Sequence, residues 1–110
     1  MRKLMMGALL MASATSAYSA GDAKKGKALY AVCSSCHGAD GMGVKAQNAP
    51  RLAGMSDWYL KRQIDNFKKG IRGTHKGDTY GALMRPMAMT LASDQAVDDV
   101  VAYILTLGKK

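Results

Sequence analysis

Cys33 and Cys36 are the only cysteines of the chain; they stand three positions apart and run straight into His37 within AVCSSCHGADGMG. This spacing limits what can hold the fold together. A bridge between the two thiols would close too tight a loop to stabilise a domain globally, and no further cysteine offers a longer one. Setting aside the leader described below leaves about ninety residues, a length at which side chains alone make a marginal core. A large apolar group held by the chain would supply what is missing.

C-x-x-C-H reads as the attachment site of a c-type haem. Two thiols one helical turn apart can each add to one vinyl group of a single porphyrin, and the adjacent imidazole then lies over the iron. Two other chemistries use the same pair. A thioredoxin-like dithiol follows a strand in a βαβ setting, and no stretch here sustains the two-residue alternation of a strand. A zinc centre needs four ligands. Cys33, Cys36, His37 and His75 are four, but adjacent Cys36 and His37 are poorly placed to grip one tetrahedral ion.

The opening stretch MRKLMMGALLMASATSAYSA begins with Arg2 and Lys3, continues through an apolar run and ends in small residues. That pattern predicts a secretory signal peptide over 1–19, with Ala17 and Ser19 at the two positions that cleavage requires to be small, and a single domain over 20–110. The apolar run is too short to cross a bilayer. Export to the periplasm suits covalent haem attachment: both thiols are consumed, and the haem is not lost by dissociation. Sixteen Lys and Arg against eight Asp and Glu give a formal charge of +8, two of the cations lying in the leader. The rest are dispersed, at Lys24, Lys25, Lys27, Lys61, Arg62, Lys68, Lys69, Arg72, Lys76, Lys109 and Lys110 among others. Nucleic acid is excluded as the partner of an exported chain. An acidic face on a redox protein fits, and so does peripheral contact with a membrane surface.

Three segments carry helical spacing. Asp22 to about Cys33 has an N-capping carboxylate and places Gly26, Tyr30 and Cys33 on one face. A glycine inside a helix costs about 1 kcal/mol against alanine, so Gly26 points to a close helix crossing. Ser56 to about Lys69 sets Leu60, Ile64 and Phe67 in one stripe and stops at Gly70. Ser93 to Leu107 is capped by Ser93, with Val97, Val100, Val101, Ile104 and Leu107 as its stripe and Gly108 as its stop. The predicted fold is all-α, three main helices with long loops at Gly38–Met55 and Gly70–Ala92. Loops of that length in so small a domain are usually ordered around something.

An iron held by His37 needs a second ligand or an open position. His75, Met42, Met55, Met84, Met87 and Met89 are the candidates, three of them in YGALMRPMAMTLASDQ, read as a loop just before the last helix. Any one methionine is more often core filler than ligand.

The pieces GKALYAVCSSCHGADGMG, NAPRLAG, WYLKRQIDNFKKGIRG and MRPMAMTLASDQAVDDVVAYI, in that order, cover most of the chain after the leader. Together they resemble bacterial class I cytochromes c, most of all the single-haem domains of dihaem cytochromes and those fused to cytochrome oxidase subunit II. The resemblance implies a cytochrome c-like fold wrapped around one haem c, joined covalently at Cys33 and Cys36. It implies His37 and Met84 as axial ligands, Met84 opening an M-x-P-x-x-x-x-L element with Pro86 and Leu91. Met87 is the rival, expected with Met89 to pack on haem or core. The resemblance gives the Pro50 carbonyl a bond from the ligand histidine's Nδ1–H, and has Gly26 and Tyr30 cross the last helix near Tyr103. Trp58, Tyr59 and Tyr80 would wall the pocket, and Arg51 and Arg72 would pair with propionates.

A His–Met pair saturates the iron, which favours electron transfer over oxygen or peroxide chemistry. The implied function is a soluble periplasmic electron carrier, not an enzyme and without a small-molecule substrate. Its partners would be acidic-faced redox proteins such as a terminal oxidase, a reductase or a quinol-oxidising complex. The alternative is a haem enzyme or sensor, peroxidase-like or gas-binding, with a labile sixth ligand.

Overall fold

The structure is a computed structural model, and it describes residues 21–108. The expected signal peptide over 1–19 and the terminal Lys109 and Lys110 lie outside the described residues. Five α-helices are present among the described residues: α1 (Ala23–Leu29), α2 (Ala31–His37), α3 (Asp57–Lys68), α4 (Thr79–Met89) and α5 (Asp94–Ile104). A short 3₁₀ turn covers Lys45–Gln47, and the sole β feature among these residues is the bridge Val44–Ala49.

Two expectations from sequence need correcting. The first predicted helix is a bent pair, and it runs on to His37 rather than ending near Cys33. Asp22 starts α1, its carboxylate accepting from the Lys24 N–H at 2.9 Å and the Lys25 N–H at 3.4 Å. At the bend the Tyr30 carbonyl accepts from both Cys33 N–H (2.8 Å) and Ser34 N–H (2.9 Å), the shared bond of a tightened turn. Gly38, at φ 88, then stops α2 in a conformation that favours glycine.

The second correction is α4. The segment carrying Met84, Met87 and Met89 is helical, not a loop. The Asp78 carboxylate accepts from Gly81 N–H at 3.0 Å and starts it. Pro86 lies inside it and can make no bond to the Ala82 carbonyl. The helix persists because tertiary contact replaces the lost ladder bond: Gly81 and Ala88, seven apart and so on one face, are both buried. A Cβ on Gly73 would meet the Gly81 carbonyl and the Arg85 side chain, so the turn after α3 lies flush against α4.

The core is Tyr30, Leu60, Leu91, Val97, Val100, Val101 and Ile104. Its base is the crossing of α1 and α5. A Cβ on Gly26 would run into the Asp99 carbonyl, with the Tyr103 Cβ 2.9 Å away, so only glycine allows this approach. The rings of Tyr30 and Tyr103 lie 5.3 Å apart across the crossing. The Asp99 carboxylate is buried there and accepts from Asp22 N–H at 2.7 Å and the Gln95 amide at 2.8 Å. Helix α3 closes the core with Leu60 and Phe67 and is tied to α5 by Lys61–Asp98 at 3.0 Å. That partly exposed pair contributes about 0.5 kcal/mol; apolar burial contributes far more.

Candidate functional site

Because α2 continues through His37, all of C-x-x-C-H rides on one helix. Cys33 is half-buried and Cys36 exposed, and neither is in a disulfide. Burial, and secondarily the neighbouring Cys36, push the Cys33 thiol up to about 11. A redox dithiol needs the opposite, an attacking thiol held down as thiolate.

His37 is only 5 % exposed. Its Nδ1 lies 2.7 Å from the Pro50 carbonyl oxygen. A carbonyl only accepts, so Nδ1 carries the proton and the lone pair of a neutral ring is at Nε2. The loop after α2 builds this contact from backbone bonds. Gly43 N–H donates to the His37 carbonyl at 2.8 Å, and the Gly41 carbonyl accepts from Leu52 N–H (2.7 Å) and Ala53 N–H (3.0 Å). Val44 and Ala49 exchange bonds of 2.9 and 3.3 Å around the 3₁₀ turn, with Asn48 in the left-handed region at φ 53. These bonds lay Pro50 alongside the histidine. Tyr30 ties the same corner to the core by donating to the Gly38 carbonyl at 2.6 Å.

The other candidates separate by exposure. Met42, Met55, Met87 and Met89 are 48 %, 40 %, 40 % and 50 % exposed, whereas Met84 is half-buried on α4. His75 is exposed on the turn between α3 and α4, its Nε2 3.0 Å from the Ile71 carbonyl oxygen. Among the described residues no three His, Cys, Asp or Glu side chains gather where they could hold a metal ion. Trp58, Tyr59 and Tyr80 are all exposed, and the Arg62 guanidinium lies 5.2 Å above the Trp58 ring. Arg51 donates from Nε to the Ala53 carbonyl at 2.6 Å. Arg72 donates to Gln63 at 2.6 Å and lies 4.4 Å over the Phe67 ring. Both arginines thus have partners within the chain.

The residues fit a haem. A buried imidazole has its Nε2 lone pair fixed and free, two thiols sit one turn apart beside it, and large apolar side chains such as Val32, Ile71, Leu83 and Met87 are exposed. The Nε–H of Arg85, next to Met84, is buried without an acceptor among the described residues, which suits a group bearing carboxylates. Sequence reasoning missed Gly43. Its place between His37 and Pro50 is a tertiary fact, signalled in the sequence only by one more glycine in a glycine-rich loop.

Comparison with known proteins agrees with this geometry. The family model for Cytochrome c matches residues 23–108. The chain is 40% identical over 104 residues to cytochrome c4 of Pseudomonas aeruginosa, covering 94% of this chain and 47% of that protein. It is 43% identical over 95 residues to cytochrome c-554(547) of Halothiobacillus neapolitanus, covering 80% of this chain and 99% of that one. It is 40% identical over 72 residues to a thiosulfate dehydrogenase electron acceptor of Stutzerimonas stutzeri, covering 66% of this chain and 30% of the relative. The chain thus spans about half the length of the cytochrome c4 relatives it matches and nearly all of the c-554(547) relative. With the match running from the start of α1 past the end of α5, the chain belongs to the cytochrome c family, and the group it holds through its two cysteines is haem c.

Proposed function

We propose that the protein carries single electrons in the periplasm, with His37 and Met84 as the two axial ligands of a low-spin haem. The observation that carries this reading is the buried His37 ring, whose Nδ1 is 2.7 Å from the Pro50 carbonyl oxygen. Haem c supplies, when bound, the one-electron couple. The chain's own residues decide how that couple behaves. Cys33 and Cys36 keep it attached, and the Pro50 carbonyl holds the imidazole in one tautomer and one orientation and raises its basicity. Among the methionines of the described residues, Met84 alone is half-buried rather than exposed. Its soft thioether would favour the ferrous state and set the potential above that of a bis-histidine site. With His37 and Met84 both holding the iron there would be no place for peroxide or oxygen, which supports carriage over catalysis.

The partners proposed are redox proteins with acidic faces: a terminal oxidase, a reductase or a quinol-oxidising complex. The dispersed lysines would steer such a surface to the protein, raising the encounter rate more than the affinity. The printed role of the Stutzerimonas stutzeri relative adds a thiosulfate dehydrogenase as a candidate donor.

Replacing the ligand tests this reading. Met84→Ala should abolish the weak far-red band of methionine-ligated ferric haem and open the ferrous form to carbon monoxide. Met87→Ala should do neither. The reverse pattern would move the ligand to Met87. Loss of the band in neither variant would remove both methionines from the iron.

A further inference from the structure

Gly43 occupies a peculiar position. Its N–H donates to the carbonyl of His37 at 2.8 Å. Its other side faces the backbone that leads to and from the Pro50 carbonyl. A Cβ built on Gly43 would lie 2.7 Å from Arg51 N, 2.8 Å from the Ala49 carbonyl oxygen and 2.8 Å from the Pro50 carbonyl carbon. All three are backbone atoms, so no side-chain rotation could relieve the contact. Gly43 also has φ +84, which L side chains rarely adopt. The residue is therefore bonded to the His37 backbone on one side and lies close against the backbone that carries the Pro50 carbonyl on the other, the two segments whose side chain and carbonyl make the 2.7 Å contact.

We propose that Gly43 is a positioning residue for the iron, the spacer that fixes how closely the Pro50 carbonyl approaches the His37 Nδ1–H. Gly43 acts through that bond and does not itself meet the haem iron. The inference rests on His37 being an axial ligand, as read above. A short Nδ1–H···O bond makes Nε2 a stronger donor, and a stronger donor stabilises ferric over ferrous iron. Anything that pushes the Ala49–Arg51 backbone away lengthens the bond, weakens the donor and raises the potential. Gly43 thereby sets part of the redox potential from a place where it contributes no polar side chain.

Gly77 provides the control. It has nearly the same conformation, φ +89, but a Cβ there would meet nothing within 4 Å. Alanine at either position carries the backbone strain of a positive φ; only at Gly43 does it also displace Pro50. The experiment uses haem-loaded Gly43→Ala, Gly77→Ala and wild type, and reads two quantities. One is the midpoint potential. The other is the exchange rate of the His37 ring Nδ1–H with solvent, followed by proton NMR. Gly43→Ala should raise the potential and speed that exchange by about three- to tenfold, the loss of a large part of one hydrogen bond. Gly77→Ala should leave both as in wild type. If Gly43→Ala does not retain haem, Ala49→Gly takes its place, since it loosens the same backbone without adding an atom and should shift both quantities the same way. Equal behaviour of Gly43→Ala and Gly77→Ala, or a potential that moves without the ring proton, overturns the proposal. A wild type whose ring Nδ1–H is not slowed at all, or whose haem is not ligated by His37, overturns the ligand reading instead and takes the proposal with it.

Discussion

At the residue scale, one buried side chain, Tyr30, fastens the site to the fold, and another, Asp99, fastens the fold to itself. Tyr30 places its ring in the core and its hydroxyl on the Gly38 carbonyl, and burial, then Cys33, Tyr103 and Asp40, push its phenol up to about 12. Asp99 joins the two ends of the domain. Its carboxyl is held below the usual 3.8 by the backbone N–H of Asp22, then by the Gln95 amide, with Lys25 helping and burial opposing. A carboxyl depressed in the folded state stabilises that state above its unfolded value and loses the contribution as pH falls through the folded one. Asp99→Ala should therefore destabilise the protein by about 1–3 kcal/mol at neutral pH, because the Asp22 N–H loses its acceptor. The gap to wild type should narrow as the pH falls below about 3.8. Urea unfolding at a series of pH values checks this, and a gap that stays constant down to acid pH would remove the carboxylate from the explanation. The residues most readable from sequence are those whose chemistry is local. Cys33, Cys36 and His37 announce themselves by spacing, and Asp22 and Ser93 by capping. Ser93 accepts from Ala96 N–H at 3.1 Å as its position predicts. Gly43 was not readable in this way, since its neighbours come from six to eight residues further on and only the folded loop brings them to it.

At the element scale, sequence periodicity served α3 and α5 well because each has one face on the core. Leu60 and Phe67, and Val97, Val100, Val101 and Ile104, are buried as their spacing predicts. It failed for α4. Glycines at 70, 73, 77 and 81 and Pro86 all read as loop, and Gly81 and Ala88 are too small to announce an apolar face. The helix forms because the turn after α3 packs on it, a contact between segments that local propensity does not contain. The α1–α5 crossing is the clearest case in the other direction. An out-of-place glycine in a helix predicted a close approach, and Gly26 lies against Asp99 and Tyr103. Gly26→Val should force α1 away from α5 and cost about 3 kcal/mol, an overpacking penalty at a backbone contact that cannot yield. Thermal unfolding of the haem-loaded variant checks it. A melting temperature equal to wild type would mean that the two helices do not need their close approach.

At the scale of the whole molecule, the small size of the domain and the chemistry of its site belong together. The buried core is a small set of side chains, most of them on α5, while large apolar residues such as Ile71, Leu83 and Met89 remain exposed. Such a domain gains from a large apolar group, and the cytochrome c family fills that need with haem c. The same arrangement places one proposed ligand on each of the two helices that sequence reasoning described least well, His37 at the end of α2 and Met84 within α4. Among the described residues no helix is long and apolar enough to cross a membrane. The measurement that bears most directly on the central proposal is the optical spectrum of the purified haem-loaded protein at neutral pH, oxidised, reduced, and reduced under carbon monoxide. A low-spin spectrum in both oxidation states, unchanged by carbon monoxide, is the expected result for an iron closed by His37 and Met84. A high-spin ferrous spectrum that shifts on adding carbon monoxide would contradict it and leave a gas-binding or peroxidase-like site in its place.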